Sequence, residues 1–160
     1  MNAYQFIKEH GVEKAREVVE GAPELAEYYS TIDGEYYLIE INAVNLKQLK
    51  RLVESVDLVN NCGGLVIANK ITFQKRLRNE KATHFIQHPE SQKLIQLLGR
   101  NQRKPKEAIK FDLFEQAIAD YEEIYKCTYC NGFGEVGCQF EGTFTCPDCN
   151  GDRYVGGEHV

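Results

Sequence analysis

The sequence predicts a mainly helical α+β fold: a helical N-terminal domain with a Tyr-rich β-hairpin, and a small C-terminal four-cysteine zinc element. Three observations predict it. Apolar residues recur at helical spacing in several segments. An Asp-Gly pair separates two tyrosine-rich runs, and two CxxC pairs stand near the C-terminal end. The 160 residues suffice for one compact domain with an appendage or for two small domains.

Two short helices are predicted first, over residues 3–10 and 12–20, with Asn2 as the N-cap of the first and Gly11 between them. This arrangement could be taken for a helix-turn-helix DNA reader. The second helix, however, carries three acidic side chains that would face phosphates badly: Glu13, Glu17 and Glu20. We therefore favour a helical hairpin that does not contact nucleic acid.

A β-hairpin is predicted over residues 27–41, because Asp33 and Gly34 both tolerate the positive φ of a tight turn. Its tyrosines are Tyr28, Tyr29, Tyr36 and Tyr37. They could offer stacking faces to nucleic-acid bases. Cross-strand pairing that stabilises the hairpin explains them as well, and we favour it.

Four further helices are predicted from apolar periodicity and from their terminating residues. They are residues 46–60 after the N-cap Asn45, residues 65–77, residues 89–98 opened by Pro89 and closed by Gly99, and a last helix from the N-cap Asp112 to Lys126. His84 and His88 fall between the second and third of these. Their spacing could place two imidazoles on a metal, but no cysteine or carboxylate pair accompanies them, so we interpret them as surface residues.

The charge of −5 is unevenly distributed along the chain. Residues 1–69 carry 6 basic and 11 acidic side chains, residues 70–110 carry 11 and 3, and residues 111–160 carry 2 and 10. Such an asymmetry is a hint about partners rather than about fold. The basic middle predicts nucleic-acid binding through eight residues: Lys70, Lys75, Arg76, Arg78, Arg100, Arg103, Lys104 and Lys106. Solvated helix faces, or pairing with the acidic flanks, would explain the same charges.

The cysteines carry the most specific signal. Cys127 and Cys130 form one CxxC pair, Cys146 and Cys149 form another, and fifteen residues separate the two. This spacing is typical of a four-cysteine zinc site, in which two knuckles complete one tetrahedron of sulfurs. Four thiolates leave no coordination position open to water, so the sequence predicts one structural Zn²⁺. A redox CxxC would need a βαβ context, and an iron–sulfur cluster fits the spacing less well.

Cys62 and Cys138 have no CxxC partner, and we interpret them as ordinary small residues. Glycines follow the second cysteine of each knuckle, where the chain turns and backbone N–H groups approach the sulfurs: Gly132, Gly134 and Gly151. The aromatic residues in and beside the element are Phe133, Phe140, Phe144 and Tyr154. We expect these four to form its small core, although they could instead form a docking surface.

The segment CTYCNGFG resembles the CxxCxGxG repeat of the DnaJ-type cysteine-rich domain, and CPDCNGDR resembles it except that Arg153 replaces the last glycine. Two of the four repeats of that domain are present here. The two-knuckle arrangement is also similar to the zinc element of antitermination proteins Q of lambdoid phages. About the first 70 residues resemble short accessory proteins of temperate tailed phages. These resemblances imply a phage or prophage regulatory protein.

Together these features predict three segments: a helical and β-hairpin domain over 1–88, a basic linker with helices over 89–126, and a zinc-knuckle element over 127–154. No phosphate loop or nucleophile elbow is evident, so we expect no enzyme activity. The expected function is regulatory binding to a nucleic-acid or transcription complex, as in antitermination. The alternative is a protein-interaction module that binds a host protein.

The expected compartment is the cytoplasm, which would be the host bacterial cytoplasm for a phage protein. The N-terminus lacks the basic head and apolar stretch of a secretory signal. Paired cysteines in a reducing compartment are better explained by a metal than by disulfides. No run approaches the roughly 18 apolar residues of a membrane span, so we expect no membrane partner.

Overall fold

A computed structural model describes residues 1–40, 42–138 and 142–156. Within them lie five helices and eight short strands, which confirms the α+β, mainly helical class. The helices are α1 (Ala3–His10), α2 (Val12–Glu20), α3 (Leu46–Asn61), α4 (Leu65–Arg78) and α5 (Phe111–Tyr125). The strands are β1 (Tyr28–Tyr29), β2 (Tyr36–Tyr37), β3 (Val44–Asn45), β4 (His84–Gln87), β5 (Ile95–Leu98), β6 (Ile109–Lys110), β7 (Glu135–Cys138) and β8 (Gly142–Thr145). None of the helices in these residues is long and apolar enough to cross a membrane.

One apolar cluster holds the five helices together, and α3 lies at its centre. Seven residues of α3 are buried, and α3 packs most extensively against α5. Their apolar residues recur at intervals of three and four, so each helix presents a continuous stripe to the other. The cluster takes in residues on both sides of position 88, from Ala3 to Ile124. The separate folding of residues 1–88 and 89–126 stays a prediction.

The Tyr-rich hairpin is present, and β1 is the central strand of a small antiparallel sheet with the order β2-β1-β3. Tyr29 stacks against Tyr36 at 5.2 Å between ring centroids and against Phe6 at 6.1 Å. The Tyr36 hydroxyl donates to the carbonyl of Val18 over 2.9 Å. These two tyrosines therefore join the hairpin to α1 and α2, which agrees with the favoured structural interpretation. The hairpin's predicted end at residue 41 lies outside the described residues.

The predicted helix over residues 89–98 is wrong. The chain instead turns back after β4 and forms β5, and β4 pairs with β5 on one side and β6 on the other. Ile95 and Leu98 are buried, whereas Gln96 between them is exposed. Apolar residues at positions 94, 95, 97 and 98 fit a helical stripe and a half-buried strand equally well, and pairing with β4 decided between them.

The start of the last helix also differs from its prediction. α5 begins at Phe111, its N-cap position is Lys110, and no side-chain cap hydrogen bond is made there. Asp112 lies in the first turn rather than at the cap. Phe111 is drawn into the helix because its ring is fully buried and stacks 4.8 Å from Phe85 of β4. Packing at this junction thus overrides the capping preference of the aspartate.

Candidate metal centre

Both CxxC pairs of the C-terminal element lie in the same kind of backbone knuckle. In the first knuckle the Gly132 N–H donates to the carbonyl of Cys127 and the Phe133 N–H donates to the carbonyl of Cys130, each over 3.0 Å. In the second, the Asp152 N–H donates to the carbonyl of Cys149 over 2.9 Å. β7 and β8 form the antiparallel hairpin that connects the two knuckles. This hairpin brings residues distant in sequence to one site.

The residues after the second cysteine of each pair adopt matching left-handed conformations. Asn131 and Asn150 have φ values of 53° and 50°, and the glycines after them have φ values of 80° and 89°. Asparagine and glycine are the residues that tolerate this region best. The repeated Cys-Asn-Gly tripeptide therefore encodes the same turn twice, which explains why the two knuckles can face one another.

The four sulfurs lie within 4.8 Å of one another, and all four cysteines are buried. The Sγ atoms of Cys127 and Cys146 are 3.8 Å apart, and those of Cys130 and Cys149 are 3.6 Å apart. A tetrahedron with Zn–S bonds of about 2.3 Å has edges of about 3.8 Å. The sulfurs are therefore spaced to hold a single metal ion. A cluster of several irons and sulfides would need them farther apart.

Backbone groups prepare the sulfurs for a cation. The Gly134 N–H donates to the Sγ of Cys130 over 3.2 Å, as the glycine pattern predicted. Burial disfavours the Cys130 thiolate, but this N–H and the neighbouring sulfurs outweigh it and lower the pKa of Cys130 to about 7. Hydrogen bonds to ligating sulfur fix its orientation and reduce its effective charge. The donor set is thus four cysteine sulfurs, one of which already accepts a backbone hydrogen bond.

The knuckles are attached directly to the end of α5. The Cys127 N–H donates to the carbonyl of Arg153, and the Val155 N–H donates to the carbonyl of Tyr125. Lys126 and Tyr154 form an isolated antiparallel bridge between these two bonds. The chain therefore leaves the element beside the point at which it entered. A groove of about 620 Å³ lies where this junction meets the end of α1.

Two aromatic residues of the element do not form its core. Phe133 is 74% exposed and Phe144 is 58% exposed, so the expectation for these residues is wrong. Tyr154 is partly buried against the main cluster of the body, and Phe140 lies outside the described residues. Among the described residues of the element, the buried side chains are those of the four cysteines, with Val136 partly buried against them. The four cysteines, spaced to hold a metal ion, thus fill the interior of the element in place of these two aromatic side chains.

The eight predicted basic residues fall into two groups. Lys75 is mostly buried in an ion pair with Glu115 at 3.0 Å, and Lys104 donates to the carbonyls of Arg100 and Gln102. The other six have no carboxylate within 4.0 Å among the described residues, and all are exposed: Lys70, Arg76, Arg78, Arg100, Arg103 and Lys106. Pairing with the acidic flanks of the same chain therefore does not account for most of the basic segment.

Topology places these charges together. α4 ends at Arg78, and the chain enters β4 at His84, which pairs with Leu98 at the end of β5. The loop of residues 99–108 starts from this same end, at Leu98, and crosses to the other side of β4, where β6 begins at Ile109 opposite Phe85. We call the end of α4 together with this loop the basic end. It contains Arg76, Arg78, Arg100, Arg103, Lys104 and Lys106.

His84 and His88 do not form a metal site. His84 opens β4 and His88 follows its last residue, so the two are four residue steps apart, which corresponds to about 13 Å along an extended chain. Cys62 is buried in the body at the end of α3, and burial raises the pKa of its thiol to about 11. It takes no part in the metal centre. Cys138 lies at the end of β7, and its side chain is outside the described residues.

A buried carboxylate is the feature that the sequence did not reveal. Asp120 of α5 is only 1% exposed and accepts hydrogen bonds from Tyr4 at 2.7 Å and Ser55 at 2.8 Å. Gln116 donates to it over 3.1 Å, and Arg51 lies 3.2 Å away. One buried charge thus connects α1, α3 and α5. The only available signal was an aspartate on the apolar stripe of a predicted helix.

Comparisons with known protein families, with curated proteins and with solved structures found no match. The resemblances to the DnaJ-type repeat and to phage proteins therefore stay predictions. The geometry nevertheless supports a chain with two distinct regions. One is a helical body that carries a basic end, and the other is a compact element with a four-sulfur site for one metal ion.

Proposed function

We propose that the protein is a non-enzymatic regulatory protein that holds one structural Zn²⁺ and binds nucleic acid through its basic end. The single observation that supports the nucleic-acid binding is the exposure of arginines and lysines on α4 and in the loop of residues 99–108 that have no carboxylate within 4.0 Å among the described residues. Phosphate groups are the ligands that such a surface attracts most strongly. The proposed compartment is the cytoplasm.

Zinc is proposed because of the donor set. Four cysteine sulfurs in a tetrahedral arrangement are the ligands of structural zinc sites, and a d¹⁰ ion imposes no other geometry. The thiolates would bind the ion with all positions filled, leaving none for water or substrate. When bound, the ion supplies folding free energy rather than reactivity. This is the chemistry expected of a scaffold.

A role on a transcription complex is supported by the similarity of the knuckles to antitermination proteins Q and by the separation of charge. Net charge is positive over residues 70–110 and negative over 111–160. The basic end would therefore attract negatively charged partners, and the metal element would repel them. The basic end suits nucleic acid. The acidic element is suited to a protein of the same complex, since four thiolates on Zn²⁺ add a further two negative charges.

A second function is favoured by the exposure of Phe133 and Phe144. Exposed aromatic side chains are enriched at protein–protein contacts. The element would then be a protein-interaction module that binds a host protein, either alone or in addition to nucleic-acid binding. Phe133→Ser should abolish capture of that protein from a nuclease-treated bacterial lysate. Leu113→Ser changes a comparably exposed residue of α5 and is the control.

The test of nucleic-acid binding is fluorescence anisotropy with labelled duplex DNA, single-stranded DNA and RNA over a range of salt concentrations. We expect affinity to fall steeply with salt, because each neutralised phosphate releases counterions. Arg100→Gln with Arg103→Gln should weaken binding about tenfold at low salt and reduce the salt slope by about 2. The control, Lys8→Gln with Lys14→Gln, changes net charge equally on α1 and α2. Absence of affinity for all three probes at low salt would overturn the proposal.

A further inference from the structure

α3 and α4 form a pair that differs from the pair predicted at the N-terminus. A turn of three residues, Cys62 to Gly64, joins the two helices. Gly63 and Gly64 have φ values of 105° and 89°, so both occupy the left-handed region that favours glycine. Two helices joined by a turn of three or four residues containing glycine are the arrangement of a helix-turn-helix unit. Its second helix enters the major groove of DNA in proteins that use it.

The second helix of this pair exposes one continuous face. Leu65, Ala68 and Ile71 of α4 are buried in the body. The residues on the opposite side are exposed over about 16 Å of helix length, which is the rise of eleven residues. They are Val66, Asn69, Lys70, Phe73, Arg76 and Leu77. We call this set the α4 face.

The chemistry of the α4 face matches duplex DNA. α4 contains four basic residues and no acidic one, whereas α2 contains three glutamates and only two basic residues. Asn69 and Arg76 have the side chains that bind adenine and guanine in the major groove. Phe73 is 57% exposed and offers an apolar contact of the kind made with thymine methyl groups.

A β-hairpin is fastened beside this helix. The amide of Gln87 donates to the carbonyl of Cys62 over 2.7 Å and to the carbonyl of Gln92 over 2.8 Å. Gln74 of α4 donates to the carbonyl of Lys93 over 3.0 Å. The β4–β5 hairpin is therefore held against both the turn and α4. At the other end of the same sheet lies the loop of residues 99–108, with its basic residues.

We propose that α3 and α4 form a helix-turn-helix unit that places the α4 face in the major groove of duplex DNA, with the basic end on the adjacent phosphates. This inference rests on the proposed nucleic-acid binding and names its target. It assigns two kinds of contact: the α4 face reads bases, and Arg100 and Arg103 hold the backbone. A duplex fits the α4 face better than a protein partner does, because Lys70 and Arg76 attract phosphates and α4 carries no acidic side chain to oppose them.

The first experiment compares a 40-bp duplex of mixed sequence with its separated strands, using the full-length protein loaded with Zn²⁺. We expect tighter binding to the duplex and competition by methyl green, a major-groove ligand, but not by netropsin, a minor-groove ligand. Equal affinity for single strands and duplex would overturn the helix-turn-helix assignment and leave nucleic-acid binding intact. Absence of binding to every probe would overturn both proposals.

The second experiment selects bound duplexes from a randomised pool and repeats the selection with variants. Asn69→Ala should lower discrimination at one or two positions of the selected site by about tenfold. Arg100→Gln should weaken binding to all duplexes alike and leave the selected sequence unchanged. Three variants of the α4 face change exposed residues: Val66→Ala, Asn69→Ala and Phe73→Ala. The thermal midpoint of each should match that of the unchanged protein, which confirms that it folds. If Phe73→Ala instead alters the mass of the protein in sedimentation without changing duplex affinity, the α4 face binds a second copy and the proposal is overturned.

Discussion

The helical body and the metal element are built around different kinds of buried group. The body buries an apolar cluster that runs from Ala3 to Ile124, with a single network of polar groups around Asp120. Among its described residues, the element buries four cysteines and little else, and Phe133 and Phe144 face the solvent. A unit of about 30 residues buries too little apolar surface to offset its conformational entropy. The comparison teaches that one chain can use two independent sources of stability.

The largest expected effect is loss of the metal. Cys130→Ser should release Zn²⁺ and unfold residues 127–156, because structural zinc supplies on the order of 10 kcal/mol to such elements. The amide NMR signals of the element should collapse, while those of α1–α5 stay dispersed. The matched control is Cys62→Ser, which changes a buried cysteine of the body. This variant should keep its zinc, and its thermal midpoint should be lower than that of the unchanged protein. Unchanged zinc content in Cys130→Ser, measured by mass spectrometry, would contradict the assignment.

The second effect should fall on the body alone. Asp120→Ala leaves the hydroxyls of Tyr4 and Ser55 and the guanidinium of Arg51 without their shared acceptor. Removing one partner of a buried charged network costs about 3 kcal/mol. Urea unfolding followed by circular dichroism should show this loss while zinc content is unaffected. Asp112→Ala, which removes an exposed carboxylate from the same helix, should change stability by less than about 0.5 kcal/mol.

A third variant tests how closely the knuckles approach one another. Gly134 has a φ of 78°, and a Cβ at this position would lie 2.7 Å from the carbonyl oxygen of Gly151. Gly134→Ala should therefore weaken zinc affinity more than tenfold, since backbone strain and the contact together cost about 2 kcal/mol. Gly142→Ala is matched in φ, at 81°, but meets nothing within 4 Å. Equal zinc affinity in competition with a chelator would show that the contact between knuckles is unimportant.

The smallest effect should be a gain. Arg153 stands where the CxxCxGxG repeat has its last glycine, and its φ of 73° is close to the 78° of Gly134 in the first knuckle. A non-glycine residue in this region costs about 1 kcal/mol. Arg153→Gly should therefore strengthen zinc binding by up to about fivefold. Weaker zinc binding in this variant would show that the arginine side chain contributes more than its backbone strain costs.

Local patterns in the sequence were sufficient for most of the helices and for the metal ligands. Residues 46–60 show an apolar stripe between an asparagine cap and two glycines, and α3 follows that stripe to Asn61. The two CxxC pairs identified a four-sulfur site because the chemistry of a knuckle is contained in a few adjacent residues. In both cases the deciding interactions lie within one or two turns of chain.

Tertiary contacts decided the rest. Residues 95–98 form a strand because β4 offers a pairing partner and a buried face, neither of which is visible in their own spacing. The exposure of Phe133 and Phe144 depended on the metal site filling the interior of the element.

The sequence by itself determined a mainly helical body, a tyrosine-rich hairpin and four cysteines that share one site, since each follows from short-range periodicity, turn chemistry or ligand spacing. Only the tertiary structure brought Asp120 to Tyr4 and Ser55, across 116 and 65 positions of the chain. It alone paired β4 with both β5 and β6, which fixes where the basic loop of residues 99–108 leaves and re-enters the sheet. Charges and polar groups far apart in sequence are placed by packing of the apolar core, which no local pattern encodes.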